Sequence, residues 1–285
     1  MTEEPVFLLW YARVLVFLVG ACVGSFLNVV ILRIPAGKSV VRPRSQCRCG
    51  APIAWYDNIP VLSWLILRGR SRCCGGRFSI RYPMIELGTA LLFVGLWERA
   101  GWPVGGVLMA FAAVLIAASF IDLDTMEIPD RFTVGGFLAG ILASAFLPAL
   151  QGIESSGIPL LDAMRGLREG LLGAFVGSGL ILWIALTAET VLRREAMGFG
   201  DVKLMGAIGA FCGWQGAVFA FFGGAVLGCL LLVVILPLQR FRKTEEGTRV
   251  PFGPALAGGA LLYLLWVEPH VRAYFDNIAG VLQAG

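Results

Sequence analysis

The chain has 285 residues, of which 58% are hydrophobic and only 15% are charged, and its mean hydropathy is +0.80. Soluble domains carry roughly 25% charged residues, so this composition excludes an ordinary soluble domain and predicts an integral membrane protein. The formal net charge of +4 does not require a nucleic-acid partner, and the sequence contains neither a phosphate loop nor a dinucleotide-binding fingerprint.

Eight apolar stretches predict an all-α polytopic membrane protein. They are continuous rather than alternating, which favours helices over a β-barrel, and most approach the roughly 20 residues that a helix needs to cross a bilayer. The first is too long for a signal-peptide core, so we expect it to be retained, and the sixth is too short to span alone. The stretches are residues 7–32, 83–97, 103–121, 132–150, 171–192, 202–212, 217–238 and 254–267.

Basic residues predict the orientation of these helices. With both termini outside, the cytoplasmic segments contain 18 of the 23 Lys and Arg residues, as expected from the excess of positive charge in cytoplasmic loops. The chain then divides into a first transmembrane helix (1–32), a basic cytoplasmic loop (33–82) and a transmembrane bundle (83–285).

The cytoplasmic loop contains four of the seven cysteines, arranged as two pairs. Such pairs suggest a zinc site that staples a segment with little core of its own, and the reducing cytoplasm disfavours a disulfide framework. The spacing departs from the usual Cys-x2–4-Cys, because one pair is Cys-x-Cys and the other is adjacent, although Gly75 and Gly76 suit a tight turn. Zinc ligation and free thiols both remain open for Cys47, Cys49, Cys73 and Cys74.

The same loop contains one apolar piece, IPVLSWLIL at residues 59–67. It is too short to cross the bilayer. It either lies on the membrane surface or fills a small core of the loop, and the second interpretation is the simpler one.

Acidic residues gather at the predicted cytoplasmic ends of two helices. Asp122 directly follows an apolar run and Asp201 directly precedes one, and ionisable groups at membrane depth are functional-site candidates by default. Asp124, Glu127 and Asp130 lie in a connector, where we expect them to face water, and Asp130 suits the N-terminal cap of the next helix.

Asp122 and Asp201 are predicted to form an acid pair, because both lie on the same side of the bilayer. Two facing carboxyl groups do not ionise together, and a pair that holds one proton can activate a water molecule and protonate a leaving group. Gly198 and Gly200 leave room for a substrate backbone beside Asp201, and Lys203 can support the pair electrostatically.

These residues resemble the type IV prepilin peptidase family of aspartic proteases, whose motif is Gly-x-Gly-Asp. The resemblance is carried by GFGD at residues 198–201 with VKLMGAIGAFCGW behind it, and by IDLDTMEIPD at residues 121–130. It extends over nearly the whole chain through VGSFLNVVILRIP, DNIPVLSWLILRGR, RYPMIEL and PFGPALAGG.

The resemblance implies a multi-pass endopeptidase of the bacterial inner membrane, with its active site at the cytoplasmic face. Such enzymes remove the basic leader from prepilins and pseudopilins after a glycine, without a metal or cofactor in the cleavage step. The catalytic pair then falls on Asp122 and Asp201, with Asp124 close to the first. The implied partners are these substrates, membrane lipid, and the pilus or secretion assembly machinery.

Relatives that keep the cytoplasmic loop also methylate the new N-terminal amine, with S-adenosylmethionine as the methyl donor. This chain keeps the loop, so the resemblance implies both activities, and peptidase activity alone is the alternative. A proton- or cation-coupled transporter, a structural assembly factor and a presenilin-like protease are rival interpretations of the same acids. Conduction is disfavoured because both acids lie near one face and the midplane is almost free of ionisable groups.

Overall fold

The protein is represented by a computed structural model that describes residues 6–47, 49–193, 197–240 and 251–284. Within these ranges the chain forms α-helices, and its strand-like contacts are two isolated bridges after the first helix. The predicted all-α class, with a cysteine-containing segment after the first helix, is thereby confirmed. The helices are α1 (Val6–Arg33), α2 (Leu62–Ile66), α3 (Arg81–Ala100), α4 (Val104–Thr125), α5 (Asp130–Phe146), α6 (Pro159–Leu192), α7 (Phe199–Arg240), α8 (Gly253–Leu262) and α9 (Glu268–Ala284).

Four helical segments in the described part of the chain are long and apolar enough to cross a membrane, which agrees with the predicted multi-pass protein. The sixth and seventh predicted stretches are the two arms of α7, which meet at Gly213, where φ is 68° and ψ is 178°. The other predicted stretches lie on α3, α5 and α8, and eight crossings remain a prediction. The four segments are Leu9–Arg33, Val104–Thr125, Pro159–Leu192 and Phe199–Leu230.

The chain divides into two compact units, Met1–Ile121 and Asp122–Gly285. In the first unit, α1 approaches α3 so closely that a Cβ added at Gly24 would lie 2.6 Å from the Cα atom of Glu86. Small residues at such contacts allow membrane helices to pack backbone against backbone. The contact buries the side chain of Glu86.

The segment between α1 and α3 is organised by backbone hydrogen bonds. Two isolated bridges close small turns over residues 46–52 and 70–77, and each turn carries one cysteine pair. Helix α2 exposes Leu62, Leu65 and Ile66. The expectation that the apolar piece fills a core of the loop is therefore wrong for these three side chains, and its placement on the membrane surface remains a prediction.

Helix α7 is central to the second unit, where it packs against α5, α6 and α8. A Cβ added at Gly209 would overlap the carbonyl oxygen of Gly173, so the backbones of α6 and α7 are in contact. The hydroxyl of Ser144 and the Nε2 group of Gln151 both donate to the carbonyl oxygen of Ala210, each at 3.0 Å. These contacts fix the first arm of α7, whose first turn contains a predicted site residue.

Candidate active site

Asp122 lies in the last turn of α4 and its side chain is buried, with 5% of the residue exposed. Gly253, the first residue of α8, donates its backbone N–H to Oδ2 of Asp122 at 3.1 Å. The first N–H groups of a helix have no partner inside the helix, and its N-terminus carries a positive partial charge. The hydrogen bond therefore favours the negatively charged form of this carboxyl group.

Asp201 lies in the first turn of α7 and is 9% exposed. Its charge and that of Asp122 are near enough to repel each other, so the structure brings the two predicted acids into one neighbourhood of the second unit. Among the residues that the structure describes, none donates a hydrogen bond to the Asp201 carboxylate. The two acids thus differ in environment, because one carboxylate has a backbone donor and the other has only burial and a neighbouring charge.

Ile128 lies close to Gly253, beside Asp122, and to Gly200, the residue before Asp201. A Cβ added at Gly253 would lie 2.7 Å from Oδ2 of Asp122 and 3.0 Å from Cδ1 of Ile128, so only glycine fits there without displacement. A Cβ added at Gly200 would lie 3.5 Å from Cβ of Ile128, at ordinary contact distance. The connector after α4 therefore lies close to the start of α8 and to the start of α7.

The two glycines of the predicted motif have different surroundings from Gly253. Gly198 is exposed, and a Cβ added there would come no closer than 3.8 Å to Oδ2 of Asp201. Among the described residues, the surroundings of Gly198 are open and those of Gly200 are only loosely filled, as expected for a place where another chain approaches.

Lys203 is paired with Asp130 rather than with the two buried acids. Its Nζ atom lies 2.6 Å from Oδ1 of Asp130 and 5.3 Å from the ring centre of Phe199. The prediction that Asp130 caps α5 is wrong, because Pro129 occupies the cap position and Asp130 is the first residue of the helix. Asp124 is exposed at the end of α4.

The four predicted cysteine ligands come together in the first unit. Their sulfur atoms all lie within 4.8 Å of one another, with Cys47 to Cys74 at 3.5 Å and Cys49 to Cys73 at 3.4 Å. Four thiolates that bind one zinc ion at about 2.3 Å have their sulfurs about 3.8 Å apart. The donor set and its dimensions therefore fit a tetrahedral metal ion, despite the irregular spacing in the sequence.

Hydrogen bonds prepare part of this cluster for metal binding. The backbone N–H of Cys49, followed by the side chains of Ser71 and Cys73, lowers the pKa of the Cys47 thiol to about 6. The Ser71 hydroxyl also lowers the pKa of Cys74. Hydrogen bonding with Cys47 and Cys49 raises the pKa of the Cys73 thiol to about 12. A thiolate is the form that binds soft metal ions, and hydrogen bonds in the cluster stabilise that form at Cys47 and Cys74.

Comparison with known proteins finds two matching families along the chain. The family described as the bacterial peptidase A24 N-terminal domain matches residues 18–100, and the type IV leader peptidase family matches residues 109–233. A protein of Myxococcus xanthus named prepilin leader peptidase/N-methyltransferase is 45% identical over 77% of this chain and 63% of its own length. Proteins of the same name from Aeromonas salmonicida and Pseudomonas putida are 34% and 36% identical, over 94% and 93% of this chain and 96% and 93% of their own lengths.

No solved structure matches the chain significantly. The family matches cover most of the sequence, and the Aeromonas and Pseudomonas relatives align along nearly its whole length. This chain belongs to the type IV leader peptidase family.

Proposed function

We propose that the chain is a bifunctional enzyme of the bacterial inner membrane, a prepilin leader peptidase and N-methyltransferase. It removes the basic leader of prepilins or pseudopilins after a glycine, at the cytoplasmic face, and then methylates the new N-terminal amine. The pair of buried acids in the second unit is the observation that carries the peptidase assignment. Relatives named for both activities, together with the retained loop of the first unit, support the second activity.

Asp122 is the acid that carries the negative charge, since the N–H of Gly253 and the N-terminus of α8 stabilise it. It takes a proton from a water molecule, whose oxygen forms a bond to the carbonyl carbon of the scissile peptide. Asp201 holds the shared proton, because its buried carboxyl group lies beside that charge and has no described donor. It donates to the carbonyl oxygen as negative charge develops there.

The second half of the cleavage returns both acids to their starting state. When the carbon–nitrogen bond breaks, the departing amine receives the proton that Asp122 took from water, and Asp201 recovers its proton from the former carbonyl oxygen. The two carboxyl groups exchange protons with one substrate and therefore titrate as a unit. The open surface at Gly198 and Gly200 is where the extended backbone of the substrate passes.

The cysteine cluster fits zinc, and its role here is structural. Cys47, Cys49, Cys73 and Cys74 would hold the ion and join the two turns of the loop, which has little apolar core to do so. For the transfer step, S-adenosylmethionine supplies a methyl group carried on a sulfonium. The loop, the cytoplasmic end of α1 and the start of α3 provide the surfaces where such a donor and an amine can meet.

Both activities are testable with the purified chain in detergent. We expect it to release the leader from a synthetic prepilin and to transfer label from S-adenosylmethionine to the product, with mass spectrometry locating the cut and the methyl group. A transporter or an assembly factor would release no leader. Cleavage without label in the product would leave a peptidase alone.

A further inference from the structure

The first unit contains a cavity of about 260 Å³ between α1, α3 and the cytoplasmic loop. Its walls include apolar and aromatic groups such as Trp64 and Phe78, and its polar lining includes Asn28 and Glu86. The amide of Asn28 is engaged by the carbonyl oxygens of Gly24 and Tyr82. Glu86 is the buried acid among the residues that line this cavity.

Glu86 is buried, with 9% of the residue exposed, and it receives one strong hydrogen bond from the loop. The backbone N–H of Val61 donates to Oε2 at 2.7 Å. The side chain of Ser25 on α1 also hydrogen-bonds to this carboxylate. Within the described part of the chain no Lys or Arg forms an ion pair with Glu86. A buried carboxylate without a cation is costly, so a site that receives a cation is the natural reason to keep one.

The residue that holds Glu86 is itself in an unusual conformation. Val61 has φ of 63° and ψ of −51°. Positive φ is uncommon for any residue except glycine and is a genuine outlier for a β-branched side chain, and such strain clusters at ligand sites. The loop accepts this conformation where its N–H reaches the carboxylate, which indicates that the position of Glu86 matters.

A second cavity, of about 560 Å³, adjoins the first and shares Ser25, Val29 and Arg33 with it. Arg44 and Trp55 contribute to its walls. A guanidinium group suits a carboxylate and an indole ring suits a purine, and S-adenosylmethionine contains both of those groups. A reaction between an amine and a large polar donor requires two adjoining sites. One cavity here offers a buried acid for the amine, and the other offers an arginine and an indole ring for the donor.

We infer that the smaller cavity is the acceptor site for methyl transfer and that Glu86 is its catalytic residue, which rests on the methyltransferase activity proposed above. The Glu86 carboxylate binds the ammonium group of the newly exposed N-terminal residue and takes one proton from it. The neutral amine then forms a bond to the methyl carbon, and the electrons of the broken carbon–sulfur bond stay on sulfur as a thioether. The apolar walls hold the side chain of the N-terminal residue, and the larger cavity holds the donor.

Replacing Glu86 by Gln tests this assignment, because the amide keeps an acceptor for the Val61 N–H but cannot take a proton. We expect cleavage of prepilin at the wild-type rate and methyl transfer slowed by about 100-fold or more. Binding gives an independent readout. Wild-type protein should bind a processed-pilin peptide with a free amine about tenfold more tightly than its N-acetylated form, and the Glu86→Gln protein should bind both peptides equally.

Glu98→Gln is the matched control, since Glu98 lies on the same helix and is paired with Arg13 at 2.7 Å outside the cavity. It should change neither readout, and S-adenosylhomocysteine should bind all three proteins alike in calorimetry. Normal methylation by Glu86→Gln overturns the assignment, and so does a loss of S-adenosylhomocysteine binding in that variant, which would make Glu86 structural. Absence of methyl transfer by the wild-type chain would instead reject the proposed methyltransferase activity, and this inference with it.

Discussion

Replacing either Asp122 or Asp201 by Asn should lower prepilin cleavage by about 10³-fold or more, while the protein still inserts and folds. Asparagine has nearly the same shape as aspartate but can neither take a proton from water nor donate an acidic one to the carbonyl oxygen. Methyl transfer to a pilin that has already been processed should continue, because its proposed residues lie in the first unit. Leader release followed by gel mobility, and methyl labelling of processed pilin, measure the two activities separately.

Asp124→Asn is the control for this experiment, because Asp124 is two residues from Asp122 but exposed, and its cleavage rate should stay within about threefold of wild type. Gly253→Ala is a milder change at the same site, since the added methyl group would press on Oδ2 of Asp122 and on Ile128. We expect an intermediate loss of cleavage in that variant. Equal cleavage by Asp201→Asn and wild type would remove Asp201 from the mechanism.

Replacing Cys49 and Cys74 together by Ser should remove the metal and abolish methyl transfer, but leave cleavage intact. Structural zinc contributes about 10 kcal/mol or more to folding in small domains that depend on it, so the two turns of the loop should separate without the ion. Metal analysis of protein purified without added zinc should find about one equivalent in wild type and none in the variant.

Cys229→Ser is the matched control, because this cysteine lies on α7 in the second unit and is not a member of the cluster. It should retain both the metal and the two activities. A wild-type protein without metal, or a double variant that keeps its metal, would contradict the zinc assignment. A double variant that loses cleavage together with methylation would contradict the separation of the two activities between the units.

The residues that carry a chemical signature of their own could be predicted from the sequence. Asp122 and Asp201 are charged groups flush with apolar runs, and that conflict indicates function whatever the fold. The cysteines also gather as their chemistry suggests, although their spacing is irregular. A tight turn at Cys73 and Cys74 allows these adjacent cysteines to join the cluster. In this turn Gly75 has φ of 68°, and the N–H of Ser71 donates to the carbonyl oxygen of Gly76.

The partners of these residues could not be predicted, because they come from distant parts of the chain. Gly253 reaches Asp122 across 131 residues and Lys203 reaches Asp130 across 73. Asp130 does not cap α5, because Pro129 occupies the cap position, and the Asp130 carboxylate pairs with Lys203 instead. In the sequence Glu86 looks like an ordinary helix residue. Only the structure shows that α1 and the strained Val61 enclose it.

Cross-linking the two acid positions tests most directly whether they form one site. The chain with Asp122→Cys and Asp201→Cys is treated in membranes with a short bifunctional thiol reagent, and linked peptides are identified by mass spectrometry. A shared site predicts efficient linkage between positions 122 and 201, and little linkage when Asp124→Cys replaces Asp122→Cys. Absence of the 122–201 link, with the introduced thiols still reactive, would contradict a two-carboxylate peptidase.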